Sequence, residues 1–381
     1  MKILSIETSC DETALALVET VISNESITAH TIKSVIFSQI DIHKEYGGVF
    51  PIVAKREHAR SLPILLKELL ENQTRQELQD DDTTWSDIQK ILLREEGLFE
   101  DFQKIIPTLA KPDVDMIAVT QGPGLEPALW VGISFARALS LYWGIPMLGV
   151  NHMKGHIFSV LLNQNNIEFP ALSLLISGGH TEIVHMDSLL DFTIIGQTQD
   201  DAIGESYDKV ARMLGLEYPG GPKIAELAQQ ARQSGLGSGE IILPRPMIHS
   251  PNLHFSFSGL KTAVLYKLKE YEYITDELKL HIAHEFEESV TDVLLKKIEK
   301  VLINSNKKYK NIIVSGGVIA NTYIRSRLQI LADKYNIPLL LPIISDSTDN
   351  AQMIAVAGAI KSLEETPQIN QEIKAIGSIG Y

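Results

Sequence analysis

Three times in this chain a short apolar strand runs into a small polar turn, and that recurrence limits the folds available to it. The opening segment Lys2-Ile-Leu-Ser-Ile-Glu7 turns at Thr8-Ser-Cys-Asp-Glu-Thr13 and returns as Ala14-Leu-Ala-Leu-Val18, a hairpin pattern. Ala171–Ile176 runs into Ser177-Gly-Gly-His-Thr181 and a second β-type run, Glu182–His185, and Asn311–Val314 runs into Ser315-Gly-Gly-Val318. A Gly-Gly pair after a buried strand is common and by itself a weak sign of repetition. With the opening hairpin, however, it predicts two related α/β lobes facing one cleft. Turns of Ser, Thr, Asp and Gly can hold phosphate through backbone N–H and hydroxyl groups.

Helical periodicity fills the intervals. Apolar residues recur at helical spacing over Leu62–Leu70 and Val131–Leu139. Asp201–Leu214 reads as a helix closed by Gly215, and Pro219-Gly-Gly-Pro222 as the turn that starts the next one. Asp276–Asn304 is a long amphipathic pattern, and Asp349–Leu363 a helix of small residues suited to close packing. Residues 72–107 differ in composition: Asp80-Asp-Asp82 is acidic, and Ser86-Asp-Ile-Gln89 resembles a capping box that opens a short helix. This stretch reads as an acidic insertion without a catalytic role.

Composition narrows the functional classes. With 381 residues, 44% hydrophobic and 22% charged, the chain is that of a globular protein large enough for two packed lobes. The lone cysteine, Cys10, excludes an intrachain disulfide, and Glu7 interrupts any signal-peptide core, so cytoplasm is expected. No apolar run is long enough to span a bilayer. A net charge of −14 argues against a broad nucleic-acid-binding face. Basic segments exist at His43-Lys44, at Lys55, Arg56, His58 and Arg60, and from Arg245 to Lys261; each is a candidate phosphate contact or a solvated loop.

The chemistry concentrates in Asn151-His-Met-Lys-Gly-His156. A spacing of four puts His152 and His156 on one helical face, where both imidazoles can converge on one ion. With Asp349 as a carboxylate partner, the set suits a borderline divalent metal such as iron(II) or zinc, with positions left open for substrate. The competing readings are packed helix histidines and, for Asp349, a helix N-cap shared with Ser347 and Thr348. His281, His284 and Glu285 lack the HExxH arrangement and read as a solvated helix face. Asp11 and Glu12, at the hairpin tip, are candidate proton acceptors or ordinary turn carboxylates.

The ordered set of motifs closely resembles the universal tRNA threonylcarbamoyl transferases in their bacterial form, long labelled sialoglycoprotein endopeptidases. The match runs through Ser5–Thr13, Tyr46-Gly-Gly-Val49, Gly122–Leu125, the His152/His156 motif, Ile176–Thr181 and Asp201–Pro222. It continues through Phe255–Thr262, Val314–Val318 with Asn321, and Thr348–Ala351. The resemblance implies a two-lobed actin/hexokinase-like (ribonuclease H-like) α/β fold with its active site in the interlobe cleft. One lobe would comprise 1–168 plus 350–381, with the insertion at about 72–107, and the other 169–349. Asp349 would then reach the metal from the far lobe. The implied reaction transfers a threonylcarbamoyl group from threonylcarbamoyl-AMP to N6 of adenosine 37 in tRNAs that read codons beginning with A.

The resemblance further implies an adenylate site at Leu175, Ile176, Ser177, Gly178, Gly179, Asp208, Gly221 and Asn321. Physical reasons accompany it: glycines let backbone N–H groups approach phosphate and ribose, Asp208 can accept from ribose hydroxyls, and Asn321 can pair with an adenine edge. The implied metal is one divalent ion, Fe2+ first and Zn2+ as the alternative. The implied partners are tRNA and, in bacteria, a shorter paralogous subunit and a small ATPase; archaeal and eukaryotic relatives work with a kinase-like partner. The chain departs from the family where Pro51-Ile52 replaces the usual Pro-Glu, and at the insertion.

Three alternatives compete. A sugar kinase or ATPase of the same fold fits the Gly-rich turns but holds magnesium through carboxylates and phosphates, not through a His/His/Asp set. A metalloprotease needs a glutamate beside its ligand helix, which is missing here. A non-catalytic nucleotide-binding scaffold would tolerate loss of the metal ligands.

Overall fold

The computed structural model describes residues 1–23, 26–71, 82–164, 166–236 and 241–377. The chain forms two compact units, Met1–Asn166 with Asp349–Tyr381, and Ile167–Thr348. These changeover points move Asp349 out of the second unit, where the sequence-based division puts it. It falls in the same unit as His152 and His156.

The first unit is built on strands β1 (Lys2–Glu7), β2 (Glu12–Ser23), β3 (Ser26–Ser38), β4 (Met116–Gly122) and β5 (Met147–Asn151), in the order β3-β2-β1-β4-β5. β1, β2 and β3 form an antiparallel meander, while β4 pairs parallel with β1 and β5 parallel with β4. Central strands such as Lys2-Ile-Leu-Ser-Ile-Glu7 are almost wholly buried, as strands covered on both faces must be. Alternate residues serve opposite faces. Ile117 and Val119 join the core beneath the helix Glu126–Trp143, whereas Met116 and Ala118 meet Gly358 of the helix Ala351–Lys361.

The second unit repeats this plan with β6 (Ala171–Ile176), β7 (Thr181–Met186), β8 (Phe192–Gln197), β9 (Asn311–Ser315) and β10 (Leu339–Leu340), in the order β10-β9-β6-β7-β8. Again the first three strands are an antiparallel meander and the last two add in parallel. The helices Ile203–Met213 and Asp276–Asn304 pack Ile203, Tyr207, Val210, Phe286 and Val290 against Leu172, Leu174 and Ile176 of β6. Two sheets of identical topology in one chain make the actin/hexokinase-like α/β architecture expected above.

Several local expectations change. Lys55, Arg56 and Arg60 lie on the helix Pro51–Leu69 rather than in a loop, because Ala54, His58, Leu62 and Leu65 form a continuous buried face beneath them. The helix Asp82–Leu92 is already under way at Ser86, so that residue opens nothing. Of the acidic run, residues 80 and 81 lie outside the described residues. Ile88, Leu92, Leu98, Phe102 and Ile106 are fully buried in the first unit's core, so the described part of the insertion completes that core. His281, His284 and Glu285 are buried, not solvated, because the helix Asp276–Asn304 is covered along most of its length.

Candidate functional site

β5 ends at Asn151, whose side-chain oxygen accepts the Lys154 N–H at 3.0 Å and so caps the helix His152–Phe158. One turn apart on that helix, the rings of His152 and His156 lie 4.7 Å apart at 81°. Gly155, between them, lets the helix press onto Ala351–Lys361: a Cβ there would stand 3.0 Å from Ile354 Cδ1 and 3.2 Å from Met353 Cγ. The cap of that second helix is Asn350, whose Oδ1 accepts the Met353 N–H at 2.9 Å. Asp349 is therefore not needed as a cap, and its Oδ1 lies 3.4 Å from His152 Nε2 and 3.0 Å from His156 Nε2.

Among the described residues, His152, His156 and Asp349 are the one group able to place three ligand atoms within 4.8 Å of one another. His156 is 1% exposed, yet among the described residues neither of its ring nitrogens has an aligned hydrogen-bond partner, the Nε2 contact with Asp349 included. A buried imidazole without a partner is costly unless something else occupies it. Two imidazoles and a carboxylate converging on one point fit a divalent ion with open coordination positions.

The electrostatics agree with that fit. Burial opposes charge on the His152 ring, but the carboxylates of Glu7 and Asp349 outweigh it and hold its pKa well above the ordinary histidine value. Burial likewise works against ionised Asp349, and the two histidines overcome it, holding the carboxyl far below its usual range. Asp11 and Glu12 lie within the field of the same carboxylate. Burial, then Asp11 and Asp349, pushes Glu12 well up, and burial with Asp349 raises Asp11 despite hydrogen bonds that lower it. Carboxyl groups beside two imidazoles form a cluster whose charge a cation would balance.

Glu7, at the end of β1, is missed by the sequence analysis although it stands inside the Ser5–Thr13 motif. It is fully buried, and its Oε2 accepts from His152 Nδ1 at 3.0 Å and from the Thr120 hydroxyl. A charged residue closing an otherwise apolar central strand is the signal that could have found it.

The second unit collects the remaining candidates at the carboxyl ends of β6 and β9. Leu175 and Ile176 close β6, and the Ser177 hydroxyl accepts the His180 N–H at 3.1 Å, which shapes the turn into β7. Gly178 and Gly179 are exposed, with open space where a Cβ would project. A Cβ on Gly204 would stand 2.7 Å from Gly178 Cα, so the start of the helix Ile203–Met213 lies against this turn. Asp208, one turn further, accepts the Gly220 N–H at 2.7 Å through Oδ1 and fixes the Gly220-Gly221 start of the helix Gly220–Gln233. Gly316, at φ +92°, passes so close to the Ile176 carbonyl that no side chain fits, joining the ends of β6 and β9. Asn321 follows, capping the helix Thr322–Tyr335 through an Ile324 N–H to Oδ1 bond of 3.0 Å and donating Nδ2 to Glu287 at 2.6 Å.

The basic candidates are largely committed to protein partners. Lys55 pairs with Glu95 at 3.0 Å and Arg60 with Glu57 at 3.0 Å, while Arg56 is exposed. Arg245 is held by Asp292 at 3.0 Å and by buried Glu285, which makes it a structural cation rather than a free phosphate contact. His58 is buried, and desolvation lowers its pKa to about 4, so it adds no positive charge to its segment at neutral pH.

Comparison with known proteins adds a consistent picture. The family model for tRNA N6-adenosine threonylcarbamoyltransferase (TsaD) matches residues 30–91 and 106–356. The interruption falls inside the stretch that composition marks as an insertion. Proteins of that name from Thermosipho melanesiensis and Methylobacillus flagellatus are each 41% identical to this chain, covering 97% and 95% of it and 97% and 93% of themselves. The one from Nitrosomonas europaea is 38% identical over 99% of this chain and 96% of its own length. Among solved structures, full-length HypF in its phosphate- and nucleotide-bound form aligns with a TM-score of 0.52 at 13% identity, covering 96% of this chain and 56% of HypF; this likeness concerns the fold alone. No helix among the described residues is long and apolar enough to cross a membrane.

Proposed function

The chain belongs to the tRNA N6-adenosine threonylcarbamoyltransferase family, and from that premise we propose that it transfers the threonylcarbamoyl group of threonylcarbamoyl-AMP to N6 of adenosine 37 in tRNAs reading codons that begin with A. The observation that carries this reading is the convergence of His152, His156 and Asp349 in a chain related to these transferases along nearly its whole length. An ATP-hydrolysing role is not favoured, since the relatives just described carry the transferase name.

The donor is an activated mixed anhydride, so no covalent protein nucleophile is required. Adenine N6 forms the new bond to the carbamoyl carbon, AMP departs, and N6 gives up one proton. The difficulty is the weak nucleophile, whose lone pair is delocalised into the ring; catalysis needs orientation, charge stabilisation and a proton acceptor. Asp11 and Glu12, the carboxylates at the hairpin tip, are the candidate acceptors, and burial raises the pKa of both. Leu175, Ile176, Ser177, Gly178, Gly179, Asp208, Gly221 and Asn321 bind the adenylate, with Gly178 and Gly179 offering backbone N–H groups to phosphate.

His152, His156 and Asp349 hold the divalent ion, iron(II) in preference to zinc. When bound it supplies Lewis-acid polarisation and an anchor for the threonyl carboxylate or hydroxyl. The chain works in the cytoplasm on tRNA, and in a bacterial cell with a shorter paralogous subunit and a small ATPase as partners. The deciding experiment is nucleoside mass spectrometry on a depletion strain rescued by wild type or by His156→Ala. The modified nucleoside returns with wild type only; its equal return with the variant overturns the metal-dependent reading.

A further inference from the structure

We propose that Glu7 is a positioning residue for the metal, its carboxylate holding the His152 ring in the tautomer and orientation that present Nε2 to the ion. This rests on the metal reading above and goes beyond its three ligands. The sheet order is the starting point. β1, β4 and β5 are successive parallel neighbours, so their carboxyl ends lie side by side. Glu7 ends β1, Thr120 lies near the end of β4, and His152 follows directly on β5. Residues up to 145 positions apart thus meet at one edge.

The geometry of that meeting leaves Glu7 little freedom. Its Oε1 accepts the Ser9 N–H at 2.5 Å, and its Oε2 accepts from the Thr120 hydroxyl and from His152 Nδ1 at 3.0 Å. The side chain is fully buried, so water does not replace these partners. An ionised carboxylate only accepts, and Nδ1 must therefore carry the proton. In the neutral ring the lone pair then resides on Nε2, the atom that lies 3.4 Å from Asp349 Oδ1 within the ligand cluster. Metal-bound histidines commonly have such a carboxylate on their other nitrogen, and its loss typically weakens metal binding about tenfold to hundredfold. Among the described residues His156 has no such support, because none of them hydrogen-bonds its Nδ1. Glu7, at a shorter distance than the Ser9 hydroxyl 3.3 Å from the same nitrogen, is therefore the charged group that makes one of the two imidazoles directional.

The competing account treats Glu7 and His152 as a buried ion pair that serves stability alone. Metal affinity separates the two. The full chain, stripped of metal, is titrated with Co2+ and with Zn2+ against a chromophoric chelator, for wild type, Glu7→Ala, Glu7→Gln and Thr120→Val, with circular dichroism and melting temperature recorded alongside. Glu7→Ala is expected to weaken both ions about tenfold to hundredfold and to alter the Co2+ absorption bands. Glu7→Gln, which keeps an acceptor oxygen, should lose less, and Thr120→Val less again. A folded Glu7→Ala protein with wild-type affinity and wild-type Co2+ bands overturns the proposal, whatever happens to its melting temperature. If Glu7→Ala does not fold, unchanged affinity in both other variants overturns it equally. A wild-type chain that takes up neither ion removes the metal reading itself, a failure distinguishable from that of Glu7.

Discussion

Asp349 Oδ1 stands 3.0 Å from His156 Nε2, although His156 lies on the helix His152–Phe158 and Asp349 lies in the bend before the helix Ala351–Lys361. The cap is Asn350. The proposed metal ligand and the helix cap are thus adjacent residues, which makes the two roles separable by mutation.

Replacing His152, His156 or Asp349 by alanine should reduce metal content and transfer activity in parallel. Asn350→Ala should instead cost roughly 1 kcal/mol of stability, as loss of an Asn cap does, while the chain still takes up metal. Elemental analysis beside thermal unfolding checks this. Asp349→Ala protein with full metal content would remove Asp349 from the ligand set.

Metal binding should tighten as pH rises through neutrality. In the metal-free protein the His152 pKa is raised: burial alone would lower it, but Glu7 and Asp349 prevail. Below that raised pKa the ring carries a second proton, which the ion must displace. Apparent affinity then falls by about tenfold for each pH unit on the acid side while one proton competes. The depressed pKa of Asp349 keeps its carboxylate ionised throughout this window, so it adds no competing proton. Calorimetry in two buffers of different ionisation enthalpy counts the protons released. Binding at neutral pH with no release would contradict the raised His152 pKa.

Adenylate affinity should depend on Asn321, but alanine tests two things at once. Asn321→Ala removes the helix cap and the donor to buried Glu287 together with any base contact. Asn321→Ser retains a capping hydroxyl, so its loss of AMP affinity, about 1–3 kcal/mol for a buried polar contact, reports the base edge more directly. Wild-type AMP binding by Asn321→Ser would place the adenine elsewhere.

For tRNA, the ion pairs redirect the choice of residues. Neutralising exposed Arg56 and Arg60, the latter held only in a surface pair with Glu57, should lower the salt slope of binding by roughly one unit for each phosphate that no longer meets a cation, without affecting AMP. Arg245→Ala should leave the slope unchanged and lower the melting temperature, because buried Glu285 loses its counter-charge. An altered slope in Arg245→Ala, with stability intact, would reverse this assignment.

What was legible in the sequence is what short-range physics writes there. Short apolar runs marked β1, β6 and β9, helical spacing marked Val131–Leu139 within the helix Glu126–Trp143, and the spacing of His152 and His156 put two imidazoles on one turn. These signals survive because they concern backbone torsions and side-chain periodicity within a few residues. Partnership is different. That Glu7 would meet His152, that Asp349 would join the histidines' own unit, and that Lys55 would be claimed by Glu95 depends on strand order and helix docking between distant segments. The same holds for burial: the charged residues of the helix Asp276–Asn304 read as a wet face until packing covers them and Glu285 finds Arg245 and the Leu243 N–H. A charge in a sequence does not say whether water or another side chain will solvate it. Only the assembled tertiary structure decides that, because the partner arrives from elsewhere in the chain.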